Sequence, residues 1–453
     1  MHDEVAITHF VGIGGAGMSG IARILLQRGQ RVSGSDLRDS RALDELRALG
    51  AEIHVGHADG NVGDAAVVVT STAVPADNPE VVAAQADGRR LLRRADMLAE
   101  VMGDDTAILI AGTHGKTTTT SMTVVALQAA GLDPSFAIGG SLNERGTNAH
   151  AGTDAVFVAE ADESDRSLLA YRPDVAVVTN VEHDHPDEFA DLAAVAEVFG
   201  AFLARRSAHG PAILCADDPG SAALVDAASA PVLTYGMAPS AGVRIVSDDD
   251  RWLLRQGRDD LVAFTLAVPG EHNVRNAAAA LAACIALDVD VDAAARGLGR
   301  FTGVARRFQH LGTVDDIDVI DDYAHHPTEI RATLAAARAR HRGRVVLVVQ
   351  PHRYSRTQAL GGELGRAAAA ADHVVVTDVY ASNEMPMPGV SGRIVADAAT
   401  SAGARVDYIP HLGEIAPRLA EMVQPGDLVL VTGAGDITHV GPALLELLES
   451  SRD

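Results

Sequence analysis

The sequence predicts an α/β protein of three domains, each built around a mostly parallel sheet. Short β-branched runs alternate with longer Ala- and Leu-rich stretches along the whole chain, which is the pattern of parallel strands joined by helical crossovers. The chain has 453 residues, of which 47% are hydrophobic. That is enough for about three domains of ordinary size, each with its own core. All-α and all-β folds are excluded.

We predict a Rossmann-like N-terminal domain over residues 1–100, a central P-loop-type ATPase domain over 101–298 and a Rossmann-like C-terminal domain over 299–453. A glycine-rich linker is expected at 297–303. The predicted strands are 6–11, 31–34 and 66–70 in the first domain, 106–111, 155–159 and 175–179 in the second, and 319–321, 344–350, 373–377 and 427–432 in the third. Helices are predicted over 17–27 and after Asn276.

Charge and cysteine content restrict the class of protein. With 37 basic and 61 acidic residues the formal net charge is −24, which excludes the broad basic surface of a nucleic-acid binder. Two distant cysteines form no disulfide framework, as is typical of a reducing compartment. The opening residues Met1–Glu4 include acids, and no apolar run approaches a membrane span. We therefore expect a cytoplasmic protein without membrane insertion.

A glycine-rich loop, Gly12-Ile13-Gly14-Gly15-Ala16-Gly17, follows the first predicted strand and opens the first helix. Backbone N–H groups at the positive end of a helix bind anions, so the loop predicts a diphosphate site. Asp36 follows the second strand, where dinucleotide folds carry an acidic residue. Alone, this pattern favours an NAD-dependent or flavin dehydrogenase. Alternatively, the glycines serve only the close packing of helix on sheet.

A second phosphate loop lies between the strand 106–111 and a helix that runs to about Ala130. Gly115-Lys116-Thr117 matches the end of the P-loop consensus, although the first consensus glycine would fall at Ile110. Lys116 can neutralise the β and γ phosphates, and Thr117 can offer its hydroxyl to Mg²⁺. A chance Gly-Lys-Thr is the alternative. A simple dehydrogenase has no use for a second phosphate loop.

Acidic clusters follow two predicted strands of the central domain, at Glu160–Asp165 and at Asn180–Asp187. Open α/β sheets bind ligands at the carboxyl ends of their strands, so these clusters predict Mg²⁺ held against ATP. Solvated loops are the alternative. His183-x-His185-x-Asp187 also allows a zinc hydrolase. That interpretation leaves both phosphate loops unexplained, and Glu188 stands where a binuclear hydrolase would use histidine.

Taken together, these motifs resemble those of the ATP-dependent Mur ligases, the family that builds the peptide stem of bacterial peptidoglycan. The matching segments follow the family's order and span the chain from about residue 10 to 440. They are Gly12–Gly20, Gly112–Thr120, Glu160–Asp165, Asn180–His185, His272–Asn276, Arg306–Phe308, Asp321–Glu329 and Gln350–Thr357.

The resemblance is strongest to the alanine-adding branch, and it implies a reaction. ATP would activate the lactyl carboxylate of UDP-N-acetylmuramate as an acyl phosphate, and L-alanine would then displace phosphate. ATP and two Mg²⁺ ions are the implied cofactors, and a monomer or weak homodimer is expected. The alternative within the family is the ligase that adds a tripeptide to the same nucleotide sugar. Outside it are a dehydrogenase and a non-enzymatic nucleotide-binding regulator.

The resemblance also implies roles for individual residues. The ATP side comprises the loop residues Gly112, Thr113, His114, Gly115, Lys116, Thr117 and Thr118, with Asn273 and Asn276 near adenine, Asp322 near the ribose and Arg307 on the phosphates. Thr117 and Glu160 would hold one Mg²⁺ and His185 would serve the second. The nucleotide sugar would contact Gly12, Gly14, Gly15, Gly17, Asp36 and Ser71. The acceptor side would consist of Tyr323, His325, His352, Arg353 and Arg356. The implied catalytic residues are Lys116, Glu160, His185, Arg307, His325, His352, Arg353 and Arg356.

Several of these residues have simpler interpretations. Asn273 and Asn276 can cap the helix that follows them. One of His325 and His326 can satisfy backbone groups ahead of Pro327, and Arg353 and Arg356 can form a surface pair. One departure from the family concerns the lysine that bridges the metals in several sister ligases. Arg166 and Ser167 stand in that region, which leaves the second metal to His185 and water.

Overall fold

The computed structural model describes residues 6–143, 146–229 and 231–450. Residues 1–4, on which the predicted location partly rests, lie outside this part. The strands are β1 Ile7–Val11, β2 Arg31–Asp36, β3 Glu52–Val55, β4 Val67–Thr70, β5 Arg90–Arg93, β6 Thr106–Ala111, β7 Ser135–Ala137, β8 Ala149–His150, β9 Val156–Glu160, β10 Val175–Val178, β11 Ala212–Cys215, β12 Val232–Gly236, β13 Val243–Asp248, β14 Arg251–Gln256, β15 Asp259–Phe264, β16 Gln309–Val314, β17 Ile317–Asp322, β18 Val345–Val349, β19 His373–Val376, β20 Val406–Tyr408 and β21 Leu428–Thr432.

The α-helices lie between these strands, as expected for crossover connections. They are α1 Ala16–Gln27, α2 Arg41–Ala48, α3 Pro79–Ala86, α4 Arg94–Met102, α5 Lys116–Ala129, α6 Leu192–Ala204, α7 Pro219–Ala223, α8 Glu271–Ala286, α9 Val291–Leu298, α10 Pro327–Arg340, α11 Tyr354–Ala368, α12 Arg393–Ser401, α13 Ile415–Met422 and α14 Val440–Ser450. None of the helices in the described ranges is long and apolar enough to cross a membrane.

The first sheet has five parallel strands in the order β3-β2-β1-β4-β5. Successive strands are added outward from β1 to β3, and the chain then crosses to β4 on the other side. Ligands of such sheets bind at the carboxyl ends of the strands where the order reverses, here between β1 and β4. The glycine-rich loop after β1 and Ser71 after β4 both lie at this point.

The second sheet has ten strands in the order β15-β14-β13-β12-β11-β10-β6-β9-β7-β8. Its centre is parallel and apolar, and every residue of 107–111 in β6 is buried. The antiparallel strands β13 to β15 extend one edge, and β8 pairs antiparallel with β7. Because β6, β9 and β10 are parallel neighbours, the segments that follow them meet at one edge of the sheet.

The third sheet has six strands in the order β16-β17-β21-β18-β19-β20, and all but the edge strand β16 run parallel. The sequence of strand β18 is a continuous apolar run because both faces of the strand are covered. Val345, Leu347 and Val349 enter one hydrophobic core, and Val346 and Val348 enter the core on the opposite face. A strand covered by helices on both faces buries every side chain. The predicted fold class, α/β with mostly parallel sheets, is confirmed.

The described residues divide into two compact units. The first takes those within Met1–Val181, Val195–Thr265 and Arg275–Phe301, and it contains the first two sheets. The second takes Glu182–Ala194, Leu266–Val274 and Thr302–Asp453, and it contains the third. Two short segments from the middle of the chain therefore belong with the C-terminal sheet.

Two local details differ from what the sequence suggested. Helix α8 begins at Glu271, so Asn273 and Asn276 lie within it and do not cap it. The predicted linker at 297–303 contains the boundary between the two units, which falls between Phe301 and Thr302, but its first two residues are the end of α9, in which Gly297 is buried. A Cβ atom at Gly297 would lie 2.4 Å from the Cβ of Ala129 on α5. Gly297 therefore allows two helices to approach closely. In the sequence alone, a glycine with this packing role looks like part of a flexible linker.

Candidate active site

The phosphate loop between β6 and α5 has a backbone that only glycine can adopt at two points. Gly112 has φ +136°, and a Cβ atom there would lie 2.0 Å from Thr179 Oγ1. Gly115, directly before α5, has φ +81°. A Cβ atom on Gly115 would lie 2.8 Å from Asn276 Oδ1, so the predicted adenine-side residue Asn276 lies against the loop. Positive φ angles and close contacts of this kind are the conditions that require glycine.

The end of strand β10 holds the loop in this shape. Asn180 Oδ1 accepts the backbone N–H of His114 at 2.7 Å, and Asn180 Nδ2 donates to the His114 carbonyl at 3.0 Å. The backbone N–H of Thr113 donates to the Asn180 carbonyl at 3.1 Å. The sequence placed Asn180 in a matching motif without assigning it a role. Its position after the strand next to β6 was the signal available.

Lys116, the only lysine in the chain, is partly exposed and forms an ion pair with the buried carboxylate of Glu163. Its Nζ donates to Glu163 at 2.8 and 3.1 Å and to the carbonyl of Gly112 at 2.7 Å, and Asp162 Oδ1 lies 3.8 Å away. Burial raises the pKa of Glu163 to about 7 although Lys116 opposes that shift. The carboxylates of Glu163 and Asp162 hold the pKa of Lys116 well above its ordinary value, against the effect of burial. A charged ammonium is thus fixed in the loop.

Two oxygen donors suited to Mg²⁺ lie at the start of α5. The hydroxyl of Thr117 donates to Glu160 Oε2 at 3.1 Å, and Glu160 Oε1 accepts the backbone N–H of Gly139 at 2.5 Å. Mg²⁺ prefers hydroxyl and carboxylate oxygens together with phosphate oxygens. The hydroxyl and the carboxylate fit such an ion, and the structure brings together the two residues that the sequence assigned to it. Their role in metal binding stays a prediction.

The glycine-rich loop of the first sheet is fastened to strand β2. The N–H groups of Gly12 and Ile13 donate to the Ser35 carbonyl at 2.8 and 2.9 Å, and the N–H of Gly14 donates to Asp36 Oδ2 at 2.9 Å. Gly15 directly precedes α1. Asp36, predicted to contact the ligand, therefore uses one carboxylate oxygen to hold the loop.

A second ion pair lies in the C-terminal unit. Arg356 on α11 donates to both oxygens of Asp184, at 2.7 and 3.1 Å, and both side chains are buried. Burial alone would raise the pKa of Asp184, but the Arg356 guanidinium outweighs it and holds that pKa well below its usual range. Arg356 is therefore not part of a surface pair. Arg353, by contrast, is partly exposed and donates to Asp187 at 2.6 Å.

Four aromatic rings, those of Tyr323, His325, His352 and Tyr380, lie next to this ion pair and form what we call the aromatic wall. His352 stacks on Tyr380 and meets the edge of His325, whose ring in turn meets Tyr323, with centroid distances of 5.5 to 5.6 Å. Burial lowers the pKa of His325 to about 4 and that of His352 to about 3. Both rings are neutral at pH 7. A small cavity, partly open to solvent, is lined by His325, His352, Arg356 and the apolar side chains of Pro327, Leu360 and Leu364.

Hydrogen bonds fix which ring nitrogens carry protons. His352 Nδ1 lies 3.0 Å from Arg356 Nη1, and since arginine only donates, this nitrogen accepts. His325 Nδ1 lies 2.9 Å from the carbonyl of Tyr323, so it donates and leaves Nε2 as the acceptor. His326 instead caps α10 and accepts the N–H of Thr328. Of the two histidines before Pro327, His326 is thus the one that satisfies backbone groups.

Asp322 and Arg307 occupy adjoining segments of the same unit. The buried carboxylate of Asp322 accepts the N–H groups of Phe308 and Ala324, each at 2.7 Å, and burial raises its pKa to about 6. Asp322 therefore holds the segment that carries Arg307, whose guanidinium lies 4.9 Å from the centre of the Tyr323 ring. Contact of Asp322 with a ribose and of Arg307 with phosphate remain predictions.

The predicted metal ligand His185 lies in the second unit with a left-handed backbone, φ +55°. Its N–H donates to Asp184 Oδ1 at 2.7 Å. The neighbouring groups of the zinc-hydrolase alternative have other partners, because His183 bonds to the Phe189 carbonyl and Asp187 pairs with Arg353. Asn273 Nδ2, in the same unit, donates to the Pro269 carbonyl at 2.6 Å.

Family models match three consecutive stretches of the chain. The model for the Mur ligase family, catalytic domain, covers residues 7–106, the Mur ligase middle domain covers 110–284, and the Mur ligase, glutamate ligase domain covers 306–435. The chain belongs to the Mur ligase family. The resemblance stated from its motifs is confirmed.

Individual Mur ligases are similar over nearly the whole length. A UDP-N-acetylmuramate–L-alanine ligase of Saccharopolyspora erythraea is 51% identical over 97% of this chain and 93% of that protein. One from Mycolicibacterium smegmatis is 48% identical over 98% and 95%. The crystal structure of UDP-N-acetylmuramate-alanine ligase from Thermotoga maritima superposes with a TM-score of 0.81 at 29% identity, covering 98% of this chain and 99% of that one.

In this Mur ligase, the sequence alone did not show which carboxylates pair with Lys116 and Arg356. Glu163 and Asp184 were quoted within acidic clusters, but neither was assigned to Lys116 or to Arg356. The signal for Glu163 was its place after β9, a parallel neighbour of the strand that precedes Lys116. Asp184 and Arg356 are separated by 172 residues, and no local pattern links them.

Proposed function

We propose that this Mur ligase joins L-alanine to the lactyl carboxylate of UDP-N-acetylmuramate and converts ATP to ADP and phosphate, as a step of peptidoglycan precursor synthesis. The observation that carries the proposal is 51% identity, over 97% of the chain, to a ligase named for these two substrates. The phosphate loop with its fixed lysine supports the use of ATP. We also propose a cytoplasmic location, and a monomer or weak homodimer.

The chemistry requires activation of a poor electrophile. A free carboxylate resists attack by an amine because it is anionic and lacks a good leaving group. Transfer of the γ-phosphoryl group of ATP gives an acyl phosphate and ADP. The neutral amine of alanine then attacks the acyl carbon to form a tetrahedral intermediate, which expels phosphate as the nitrogen loses a proton. The protein contributes chiefly positioning and charge stabilisation in such reactions.

In the first unit, Lys116 would neutralise phosphate oxygens while the amides of residues 112–115 hold them. Thr117 and Glu160 would hold Mg²⁺, which when bound supplies positive charge beside the triphosphate. We propose His185 for a second Mg²⁺. The loop of Gly12, Gly14, Gly15 and Gly17, with Asp36 and Ser71, would hold the diphosphate and nucleoside of the nucleotide sugar.

In the second unit, the acceptor amino acid would lie beside the aromatic wall. Arginine is shaped to grip a carboxylate, and Arg353 is only partly buried. The neutral ring of His325 can accept a hydrogen bond from the amine through Nε2 without repelling its charge. The adjoining cavity is small and partly apolar, which suits a short side chain.

A phosphate-release assay with ATP, Mg²⁺ and UDP-N-acetylmuramate tests the proposal. We expect release with L-alanine, weaker release with glycine or L-serine, and none when either the sugar nucleotide or the amino acid is omitted. Mass spectrometry should show UDP-N-acetylmuramoyl-L-alanine. Preference for the tripeptide L-alanyl-γ-D-glutamyl-meso-diaminopimelate would contradict the proposal and assign the chain to the tripeptide-adding ligases.

A further inference from the structure

A buried carboxylate lies beneath the glycine-rich loop, outside every residue assigned above. Glu80 is in the first turn of α3, and its side chain is completely buried. One oxygen, Oε2, accepts the hydroxyl of Ser35 at 2.5 Å and lies 3.4 Å from ring nitrogens of His9 and His57. The other, Oε1, accepts Asn61 Nδ2 at 2.6 Å and the N–H of Ala58 at 3.3 Å.

The donors to Glu80 come from three chain segments that meet at the ligand-binding edge of the first sheet. His9 is on β1, Ser35 is at the end of β2, and Ala58 and Asn61 follow β3. One carboxylate therefore links the middle of β1 to the end of β2 and to the segment that follows β3.

Two of these segments are directly connected to the predicted ligand contacts. Ser35 donates its hydroxyl to Glu80, while its carbonyl accepts the N–H groups of Gly12 and Ile13. Asn61 also donates to the Gly56 carbonyl at 3.1 Å, and the Gly56 N–H donates to the Asp36 carbonyl at 2.7 Å. Asp36 in turn accepts from Gly14. The position of the loop and of Asp36 thus depends on Glu80 from both sides.

A packing role alone does not account for a charged group here. Removing a carboxylate from water is unfavourable unless several hydrogen-bond donors replace the lost hydration. Well-packed apolar side chains of similar volume often give a protein equal or greater stability than a buried charged group. Burial raises the pKa of Glu80, but hydrogen bonds from His9, Ser35 and Asn61 outweigh it and lower that pKa to about 2. Glu80 is therefore ionised, and it fixes the geometry of the groups that donate to it.

We propose that Glu80 is a positioning residue for the nucleotide end of UDP-N-acetylmuramate: it holds the glycine-rich loop and the segment 56–61 in the arrangement that binds the UDP moiety. The inference rests on the proposed function for the identity of the nucleotide. It adds a residue that touches neither phosphate nor sugar and acts through Ser35 and Asn61.

The principal test is Glu80→Gln, which preserves size but replaces one acceptor oxygen with a donor. We expect KM for UDP-N-acetylmuramate to rise about tenfold or more, as for one buried partner left unsatisfied. The Kd of plain UDP, measured by calorimetry, should rise by the same factor. KM for ATP and for L-alanine should stay within about twofold, because only the nucleotide end of UDP-N-acetylmuramate is affected. The value of kcat should stay within about threefold, because the lost contacts stabilise the bound substrate and the transition state equally.

Two further variants keep the test decisive. Ser35→Ala removes only a hydroxyl from a buried site and should raise the same KM by a smaller factor, even if Glu80→Gln does not fold. Glu45→Gln, on α2 in the same sheet region, alters a partly exposed carboxylate that pairs with Arg23 and Arg41. This control should leave all three KM values and the Kd of UDP unchanged.

The inference is overturned if Glu80→Gln lowers the melting temperature while KM and the Kd of UDP stay unchanged, or if all three KM values rise together. It is also overturned if UDP does not bind to the wild-type protein. UDP binding that depends on Glu80, without alanine-dependent phosphate release, would support the positioning role and refute the proposed ligase activity.

Discussion

Two ion pairs described above, Lys116 with Glu163 and Arg356 with Asp184, have similar settings, but the pKa values of their carboxylates are shifted in opposite directions. Lys116 and Arg356 each lie in the first turn of a helix that follows a buried parallel strand, and each contacts a carboxylate on another segment. Yet the pKa of Glu163 is raised, to about 7, while that of Asp184 is depressed. Burial raises both, so the difference lies in the surrounding charges.

The environment of each pair indicates which ligand charge it can accept. Lys116 lies among the three carboxyl groups of Glu160, Asp162 and Glu163, which together carry more negative charge than its ammonium offsets and so favour a bound cation. Arg356 has Asp184 as its carboxylate, with neutral His325 and His352 beside it and Arg353 close in sequence. Arg353 is itself paired with Asp187, so the charges around Arg356 balance, and an anionic group such as an amino-acid carboxylate meets less repulsion there than beside Lys116. The first pair therefore suits Mg²⁺-nucleotide and the second suits the acceptor.

The largest effect is expected from Lys116→Ala. Without the ammonium, phosphate charge in the transition state is no longer offset, and turnover should fall by about 10³-fold or more. Phosphate release measures the loss, and circular dichroism checks that the fold is intact. Near-normal formation of the acyl phosphate by this variant would show that the first pair has no catalytic role.

A smaller effect is expected from Arg356→Lys, which keeps the positive charge but loses the bidentate hydrogen bonds to Asp184. We expect KM for L-alanine to rise about tenfold and stability to fall by about 1–3 kcal/mol, the cost of a buried acceptor left unsatisfied. KM for ATP should not change. Arg366→Lys, on the exposed side of the same helix, is the matched control. Equal behaviour of the two variants would refute a special role for Arg356.

The smallest effect concerns the pH dependence of stability. The ordinary pKa of a glutamate carboxyl is about 4.5, and burial raises that of Glu163 to about 7 in the folded protein. Between these values the folded state retains a proton that the unfolded state has released, so stability falls as pH rises, by at most about 1.4 kcal/mol per unit. Glu163→Gln should remove this slope in urea unfolding between pH 5 and 7. Glu197→Gln, an exposed control, should preserve it. Parallel curves for wild type and Glu163→Gln would contradict the raised pKa.

The sequence predicted the buried strands well because their signal is local. The run at 106–111 coincides with β6, and 319–321 lies within β17, since strands covered on both faces are continuous apolar stretches. It gave no sign of the β13 to β15 edge, where charged residues such as Arg244, Arg251 and Asp260 interrupt the apolar pattern.

For the site, the sequence identified the residue types but not their pairing. The contact between Thr117 and Glu160 agrees with the family resemblance, which implied that both residues hold one Mg²⁺, and Glu160 ends β9, a parallel neighbour of the strand that precedes Thr117. The choice of Glu163, at 2.8 Å, over Asp162, at 3.8 Å, as the partner of Lys116 depends on the three-dimensional structure, and so do the tautomers of His325 and His352. Glu80 was missed because its donors lie 19 to 71 residues away and follow no known motif.

The salt bridge of Lys116 has a consequence for covalent chemistry. Of the 37 basic residues, Lys116 is the one lysine, so a reagent that acylates ε-amines has a single side-chain target, located inside the phosphate loop. Because Glu163 and Asp162 stabilise its protonated form, that amine is a weak nucleophile until the pair is broken. The rate of lysine acylation in the folded protein therefore measures how accessible this one loop is, because the other basic side chains are arginines and histidines rather than ε-amines.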